Sequence, residues 1–105
     1  MKKISEKAAQ AFKNGTSFEL SNTRVFNFGN YTVLSLYGNW IAARNNNTGH
    51  IWSSSCGWPT ATTRERLQAI GVNVRIHKGE FVNMDGTPFK DQNVFGRVTK
   101  RFCHK

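Results

Sequence analysis

The chain has little cysteine and no long apolar stretch. Its two cysteines, Cys56 and Cys103, belong to no paired CxxC motif. A zinc site built from them, His104 and a second histidine would lack the usual ligand spacing, so we predict no metal. No segment is apolar enough for a signal peptide or a membrane span. This absence predicts a protein of a reducing, cytoplasmic compartment with both thiols free.

The motifs of several large enzyme classes are also missing. The chain contains no phosphate-binding loop, nucleophile elbow or dinucleotide fingerprint. The histidines His50, His77 and His104 could work with Glu80 or Asp85 as an acid–base pair that cleaves RNA without a metal, but no spacing marks such a pair. We therefore predict a non-enzymatic protein without a cofactor, and a small metal-independent ribonuclease remains as an alternative.

Acidic residues are scarce, whereas basic and aromatic residues are plentiful. The chain has six Asp and Glu residues and 15 Lys and Arg residues, which gives a formal net charge of +9 at pH 7 and a pI near 10.2. This imbalance indicates an anionic partner. Aromatic residues make up 12% of the chain, with eight Phe and three Trp among them. A single domain over residues 1–105 can therefore bury one modest core.

The spacing of apolar residues predicts two short helices. The first begins near Ser5, a possible N-cap, and ends at Gly15. In the second, Thr62 and Glu65 form a capping box, and Gly71 supplies the left-handed stop. Both helices are short, so packing rather than intrinsic propensity must stabilise them.

β-branched and aromatic residues alternate with turn signals from residue 24 to residue 53. Two Gly-Asn pairs and the Asn-rich loop at 45–49 separate the apolar runs, which is typical of a four-stranded antiparallel meander. A second hairpin turns at Lys78 and Gly79, and a basic tail covers residues 90–105. The predicted fold is α+β: an antiparallel β-meander with short helices on one face, followed by a further hairpin and a basic tail.

Each Gly-Asn pair, taken as a two-residue turn, predicts how the strands of the meander align. The first turn sets Phe28 opposite Tyr31, and the second sets Tyr37 opposite Trp40. Because side chains alternate along a strand, this register sorts the sheet into two faces. The aliphatic face is predicted to carry Val25, Leu34, Leu36, Ile41, Ala43 and Ile51. The other face is predicted to carry Phe26, Phe28, Tyr31, Tyr37, Trp40, Arg44, His50 and Trp52.

The face with rings and cations is the principal candidate for a binding surface. Rings stack on unpaired bases while cations attract phosphates, and an antiparallel sheet can also enter a DNA major groove. Arg64 and Arg66 lie in the first turns of the second helix, where the dipole disfavours cations, so phosphate contact or an ordinary solvated face would explain them. The alternative is that the rings form a second core under the C-terminal segment. The predicted nucleic-acid-binding residues are Tyr37, Trp40, Arg44, His50, Trp52, Arg64, Arg66, Lys100 and Arg101.

Residues 36–71 carry a pattern found in a known family. The pattern is Gly-Asn-x-Ile-Ala, a loop, and then Gly-Trp-Pro-Thr-x-Thr-Thr-Arg before a helix with Arg-Leu. It resembles a group of small tailed-bacteriophage proteins. The resemblance implies a phage origin without implying a particular activity. With the reducing, cytoplasmic compartment predicted above, the expected location is the cytoplasm of the bacterial host.

The same stretch is similar, more loosely, to the plant-type AP2 DNA-binding module. In that module a Gly-x-Trp-x-Ala strand leads through a glycine-containing loop to a second strand and a helix that starts with Thr. The positions that fall on this pattern are Gly38, Trp40, Ala42, Arg44, Gly49 and Trp52. The resemblance implies that Trp40, Arg44 and Trp52 meet the major groove of DNA.

Taken together, these features predict a small basic phage protein that binds DNA or RNA through the aromatic and basic face of its sheet. The main alternative is a phage inhibitor that docks on an acidic host protein or anti-phage defence protein, since the same positive charge favours either partner. Neither function involves a membrane, a metal or a cofactor.

Overall fold

The computed structural model describes residues 3–56 and 60–90. This part of the chain forms α1 (Lys3–Asn14), β1 (Phe18–Leu20), β2 (Thr23–Phe28), β3 (Tyr31–Leu36), β4 (Asn39–Asn45), β5 (Ile51–Ser53), α2 (Ala61–Ala69), β6 (Val74–His77) and β7 (Glu80–Asn83). Strands β1 to β5 form an antiparallel meander in sequence order, and β6 pairs with β7. The predicted α+β class is confirmed. The basic tail from residue 91 onwards lies outside the described residues.

The meander has five strands where the sequence predicted four, because β1 precedes the others. β1 is only three residues long, so it is too short to show the alternation that marks a strand. The turn between β1 and β2 contains Ser21 and Asn22 and no glycine, although Ser21 adopts a left-handed φ of 56°. A turn without glycine gives a weak sequence signal for a hairpin.

Both predicted N-caps differ from the observed ones. α1 begins before Ser5, and the Ser5 side chain is buried inside the helix. Thr60 caps α2 by accepting a hydrogen bond from the backbone N–H of Thr63 at 3.2 Å. The predicted capping box of Thr62 and Glu65 is therefore wrong. The Glu65 carboxylate instead accepts a hydrogen bond from the Ser5 hydroxyl at 2.6 Å, which joins the two helices.

The predicted helix stops are confirmed. Gly15 and Gly71 adopt left-handed φ values of 70° and 93° directly after α1 and near the end of α2. The backbone N–H of Val72 then bonds to the carbonyl of Leu67 at 3.0 Å, which satisfies a carbonyl in the last turn. No helix in residues 3–56 and 60–90 is long and apolar enough to cross a bilayer.

The first hairpin of the predicted register is confirmed and the second is wrong. Phe28 pairs with Tyr31 across the first Gly-Asn turn, as predicted. In the second hairpin the turn residues are Tyr37 and Gly38, with φ values of 53° and 81°. A two-residue turn of type I′ needs positive φ at both central residues, so the chain turns one residue earlier than a Gly-Asn turn would require.

A β-bulge in β4 then changes the faces of two residues. Trp40 pairs with Ser35 while Ala42 pairs with Leu34, so Ile41 is the extra residue. Beyond the bulge, Ala43 shares the face of Trp40, and Arg44 turns to the opposite side. The prediction that Trp40 and Arg44 lie on one face is therefore wrong, because an added residue reverses the alternation of side chains.

The main core lies between the two helices and the side of the sheet that faces them. Phe12 of α1 and Leu67 of α2 are fully buried there, together with Val25, Leu34 and Ile41. The placement of short helices on the aliphatic face is confirmed by these residues. The hairpin of β6 and β7 packs beside α2, where the Gln68 side chain donates to the carbonyl of Val74 at 2.7 Å.

The short buried segment after β5 contains a cross-link. Cys56 is disulfide-bonded, and its Sγ lies 3.4 Å from the carbonyl oxygen of Trp40. The prediction of a free Cys56 thiol is therefore wrong. That prediction was based on the lack of a signal peptide. Such a lack indicates a cellular compartment, but it carries no information about whether two sulfurs lie close together in the fold. Cys103 is the other cysteine in the sequence, and it lies outside the described residues.

Candidate nucleic-acid interface

The side of the meander that faces away from the helices carries most of the rings. We call it the aromatic face. Cross-strand pairing arranges its side chains in three rows, because directly paired residues point to the same side of a sheet. The rows are Glu19, Arg24, Ser35 and Trp40; Phe26, Val33, Ala43 and Trp52; and Phe28, Tyr31 and Asn45.

Trp40 holds the rings of β2 in place. Its ring meets Phe26 and Phe28 edge to face, each at a centroid distance of 5.3 Å. Such pairs contribute about 0.5 to 1.5 kcal/mol beyond their buried area. Trp40 is only 9% exposed, whereas Phe28 is 43% exposed. Trp40 therefore anchors the cluster, and Phe28 presents ring surface to the solvent.

Arg24 adds a fixed cation to the aromatic face. Its guanidinium carbon lies 4.7 Å from the centroid of the Phe26 ring, which is cation–π geometry. The sequence prediction did not include Arg24 among the binding residues. Alternation along β2 could have found it, because Arg24 lies two residues before Phe26 and therefore on the same face.

A second ring group lies nearer the β4–β5 loop. The Trp52 ring packs edge to face on Tyr31 at 5.9 Å and on His50 at 4.2 Å. His50 is exposed, and Tyr31 and Trp52 are half-buried. The predicted placement of these three residues on one face is confirmed by their ring contacts.

Tyr37 stands apart from both ring groups, in the turn between β3 and β4. It is 73% exposed. Its backbone N–H donates to the carbonyl of Asn22 at 2.8 Å, so the Tyr37–Gly38 turn is tied to the turn between β1 and β2. The ring is therefore presented at one end of the aromatic face by two connected turns.

Arg44 lies on the helix side of the sheet within a polar network. Its Nη1 donates to the Asn46 side-chain oxygen at 3.0 Å, and the same oxygen accepts from the Thr32 hydroxyl at 2.8 Å. Cross-strand pairing with Thr32 and Ile51 places Arg44 on that side. Trp40, Arg44 and Trp52 therefore do not point at one DNA groove together.

Arg66 is buried, with 4% of its surface exposed. Its Nε donates to the Thr23 hydroxyl at 3.0 Å, its Nη1 donates to the Ser5 hydroxyl at 2.6 Å, and the Glu65 carboxylate is 3.6 Å away. The prediction of a solvated or phosphate-contacting Arg66 is wrong. The two hydroxyls lie on α1 and β2, so the guanidinium of α2 joins three elements inside the core, and its donors are satisfied as burial of a charge requires.

The remaining predicted residues fall elsewhere. Arg64 is half-buried on α2, which packs on the opposite side of the sheet from the aromatic face. Lys100 and Arg101 lie outside the described residues. No group of three His, Cys, Asp or Glu side chains in residues 3–56 and 60–90 is arranged to hold a metal ion.

One known protein family matches nearly the whole chain. The family of Kyanoviridae Gp96 proteins matches residues 1–104, which confirms the predicted phage origin. No curated protein and no solved structure matches the chain. The resemblance to AP2 modules stays a prediction, as does the motif at residues 36–71. The chain belongs to the Kyanoviridae Gp96 family of bacteriophage proteins.

Proposed function

We propose that this phage protein binds nucleic acid through the aromatic face and catalyses no reaction. The observation that carries the proposal is the combination of partly exposed rings with a ring-stacked arginine on one rigid sheet surface. Stacking of a base on an aromatic side chain contributes about 1 to 3 kcal/mol and tolerates any base, since every base has a π face.

The rings are already ordered before any partner arrives. Edge-to-face packing on Trp40 restrains Phe26 and Phe28, and packing on Trp52 restrains Tyr31. Ordering a mobile side chain on binding costs about 0.5 to 1.5 kcal/mol, and a restrained ring avoids most of that cost. The aromatic face is therefore better suited to stacking than the same rings would be on a mobile loop.

The charge distribution favours the same partner. The net charge of +9 attracts polyanions over long range, and Arg24 offers a cation within the ring surface. Binding that displaces counterions from phosphates falls with salt, by about 0.7 in the logarithmic slope per phosphate neutralised on a single strand. We therefore expect affinity to decrease steeply as the salt concentration rises.

A fluorescence polarisation titration tests the proposal. Short labelled DNA and RNA, as single strands and as duplexes, are titrated with the protein at low and rising salt. Phe28→Ala should weaken binding by about 5- to 150-fold, which is the loss of one stacked base, and Phe28→Tyr should restore it. Met84→Ala is the matched control, because Met84 is also an exposed large apolar residue but follows β7.

Absence of any affinity for DNA or RNA at low salt overturns the proposal. In that case, stoichiometric retention of an acidic protein from a nuclease-treated host lysate would favour the inhibitor alternative. Labelled RNA incubated with the protein without metal should remain intact, and its cleavage would contradict the non-enzymatic part of the proposal.

A further inference from the structure

A cavity of about 690 Å³ opens at the end of the aromatic face where Tyr37 lies. Its walls include Arg24, Phe26 and Trp40 of the sheet and Tyr37 of the turn, and Glu19 of β1 stands at one side. Pockets for small ligands commonly enclose about 300 to 1,000 Å³ and combine apolar walls with a few polar groups. This cavity has both properties.

Two turns form a connected rim around the cavity. The hydrogen bond of 2.8 Å from the Tyr37 N–H to the Asn22 carbonyl joins the β1–β2 turn to the β3–β4 turn. Ser21 and Tyr37 hold left-handed φ values of 56° and 53°, which keep both turns tight. The cavity is therefore formed by the fold itself, without a long loop that would have to close.

Ser35 supplies a polar group without a partner at the wall of this cavity. It is 5% exposed and points to the aromatic face between Arg24 and Trp40. Within the described residues its hydroxyl makes no hydrogen bond, yet it is not sealed from the cavity space. The Ser35 hydroxyl is therefore available to donate to or accept from a molecule in the cavity.

From these features we infer that the cavity holds one unpaired nucleotide of a single strand. This inference rests on the proposed function. The exposed Tyr37 ring offers a stacking surface for the base, and the Ser35 hydroxyl meets the base edge. Arg24, held over Phe26 at 4.7 Å, takes the adjoining phosphate. Glu19 pairs with Arg24 across β1 and β2 and lies beside it, so the phosphate meets the edge of the guanidinium that is turned away from this carboxylate.

The cavity also favours binding of single strands over binding of duplexes. A base inside a duplex is stacked on its neighbours, and bringing it into a cavity requires unpairing and unstacking that cost a few kcal/mol. An unpaired base needs no such step. We therefore expect the protein to bind a single strand more tightly than a duplex of the same sequence, with the difference arising at Tyr37 and Ser35.

The test compares the ratio of single-strand to duplex affinity among variants. Tyr37→Asn removes the ring but suits the left-handed turn position, so the hairpin is kept. Lys78→Asn is the matched control, because Lys78 has the same φ of 53° before a glycine in the other hairpin. Tyr37→Asn should lower single-strand affinity about 5- to 150-fold and Ser35→Ala about 2- to 12-fold. Duplex affinity should not change, and Lys78→Asn should leave the ratio unchanged.

Cross-linking gives a second readout that does not depend on variants. A single strand with a photoreactive base is irradiated with the wild-type protein, and the attached peptide is identified by mass spectrometry. Attachment within residues 19–40 is expected. Attachment confined to α2 or to the β6–β7 hairpin overturns the inference, as does an unchanged affinity ratio in both cavity variants. If the wild type binds no strand at all, the proposed function itself fails, which is a distinguishable result.

Discussion

The two sides of the meander use arginine in opposite ways. On the helix side, Arg66 is buried and donates to two hydroxyl groups, with a carboxylate 3.6 Å away. On the aromatic face, Arg24 is exposed and lies over a ring. A guanidinium inside a core must have its donors satisfied, whereas one over a ring at the surface keeps its edges in solvent. The comparison teaches that packing, and not residue type, decides whether an arginine stabilises the core or is available to bind a partner.

The same substitution on the two sides should separate these roles most clearly. Arg66→Ala should lower the free energy of unfolding by about 3 kcal/mol, because it leaves the Ser5 and Thr23 hydroxyls without their guanidinium donor and removes the cation beside Glu65. Arg24→Ala should cost no more than about 1 kcal/mol, the value of an exposed cation–π contact. Urea denaturation under oxidising conditions measures both. Equal losses would contradict the assignment of Arg66 to the core.

The loss of nucleic-acid affinity should instead be larger for a substitution on the aromatic face than for one on the helix side. Arg24→Gln is expected to weaken single-strand binding about tenfold, since it removes a charge-assisted contact, and to reduce the salt slope by about 0.7. Arg44→Gln changes the same charge on the helix side of the sheet and should have little effect on either quantity. Arg75→Gln, on the β6–β7 hairpin, controls for net charge. A larger loss for Arg44→Gln than for Arg24→Gln would assign binding to the opposite side.

The fold should not depend on the ring of Tyr37. Its φ of 53° is strained for a residue with a Cβ, and asparagine tolerates that region better. Tyr37→Asn is therefore expected to raise the free energy of unfolding by about 0.5 kcal/mol, and Lys78→Asn should behave similarly for the same reason. Thermal and urea unfolding of both variants measures this change. A clear destabilisation by Tyr37→Asn alone would show that the ring serves packing.

The smallest effect should come from a region that belongs to neither side of the sheet. The Thr87 hydroxyl donates to Asp85 at 2.6 Å, and this bond, followed by that of the Thr87 backbone N–H, lowers the pKa of Asp85. Because the folded pKa is the lower one, the contribution to stability is present above the unfolded pKa and is lost as the pH falls through the folded pKa. NMR titration of the Asp85 carboxyl should show this lowered pKa, and Thr87→Val should raise it. Nucleic-acid binding should be unchanged in that variant.

Much of the aromatic face follows from the sequence alone. Phe26, Phe28 and Tyr31 were placed correctly because the Gly29-Asn30 turn lies where its glycine requires it. Trp40 was placed on the correct side although its partner was wrong, since the turn begins one residue early and the strand reaches Ser35 on that same side. Alternation and turn chemistry are local properties, and a sequence displays them directly.

The positions of the two misplaced arginines depend on distant contacts. Arg44 changes side because of the bulge at Ile41, and the unbroken apolar run from Trp40 to Ala43 hides the resulting shift in alternation. Arg66 is buried because Ser5 and Thr23, far away in the sequence, approach it. The cavity beside Tyr37 likewise requires two turns to meet. Such juxtapositions come from tertiary packing and cannot be counted along the chain.

The extra residue at Ile41 also divides the pairing of β4 with β3 into two stretches. The end that holds Trp40 is aligned by the hairpin, and the end that holds Arg44 is aligned by its neighbours β3 and β5. The bulge offsets the register by one residue, so the two ends are aligned by different sets of contacts. Replacing the Tyr37–Gly38 hairpin should accordingly change the surroundings of Trp40 and leave Arg44 on the helix side of the sheet.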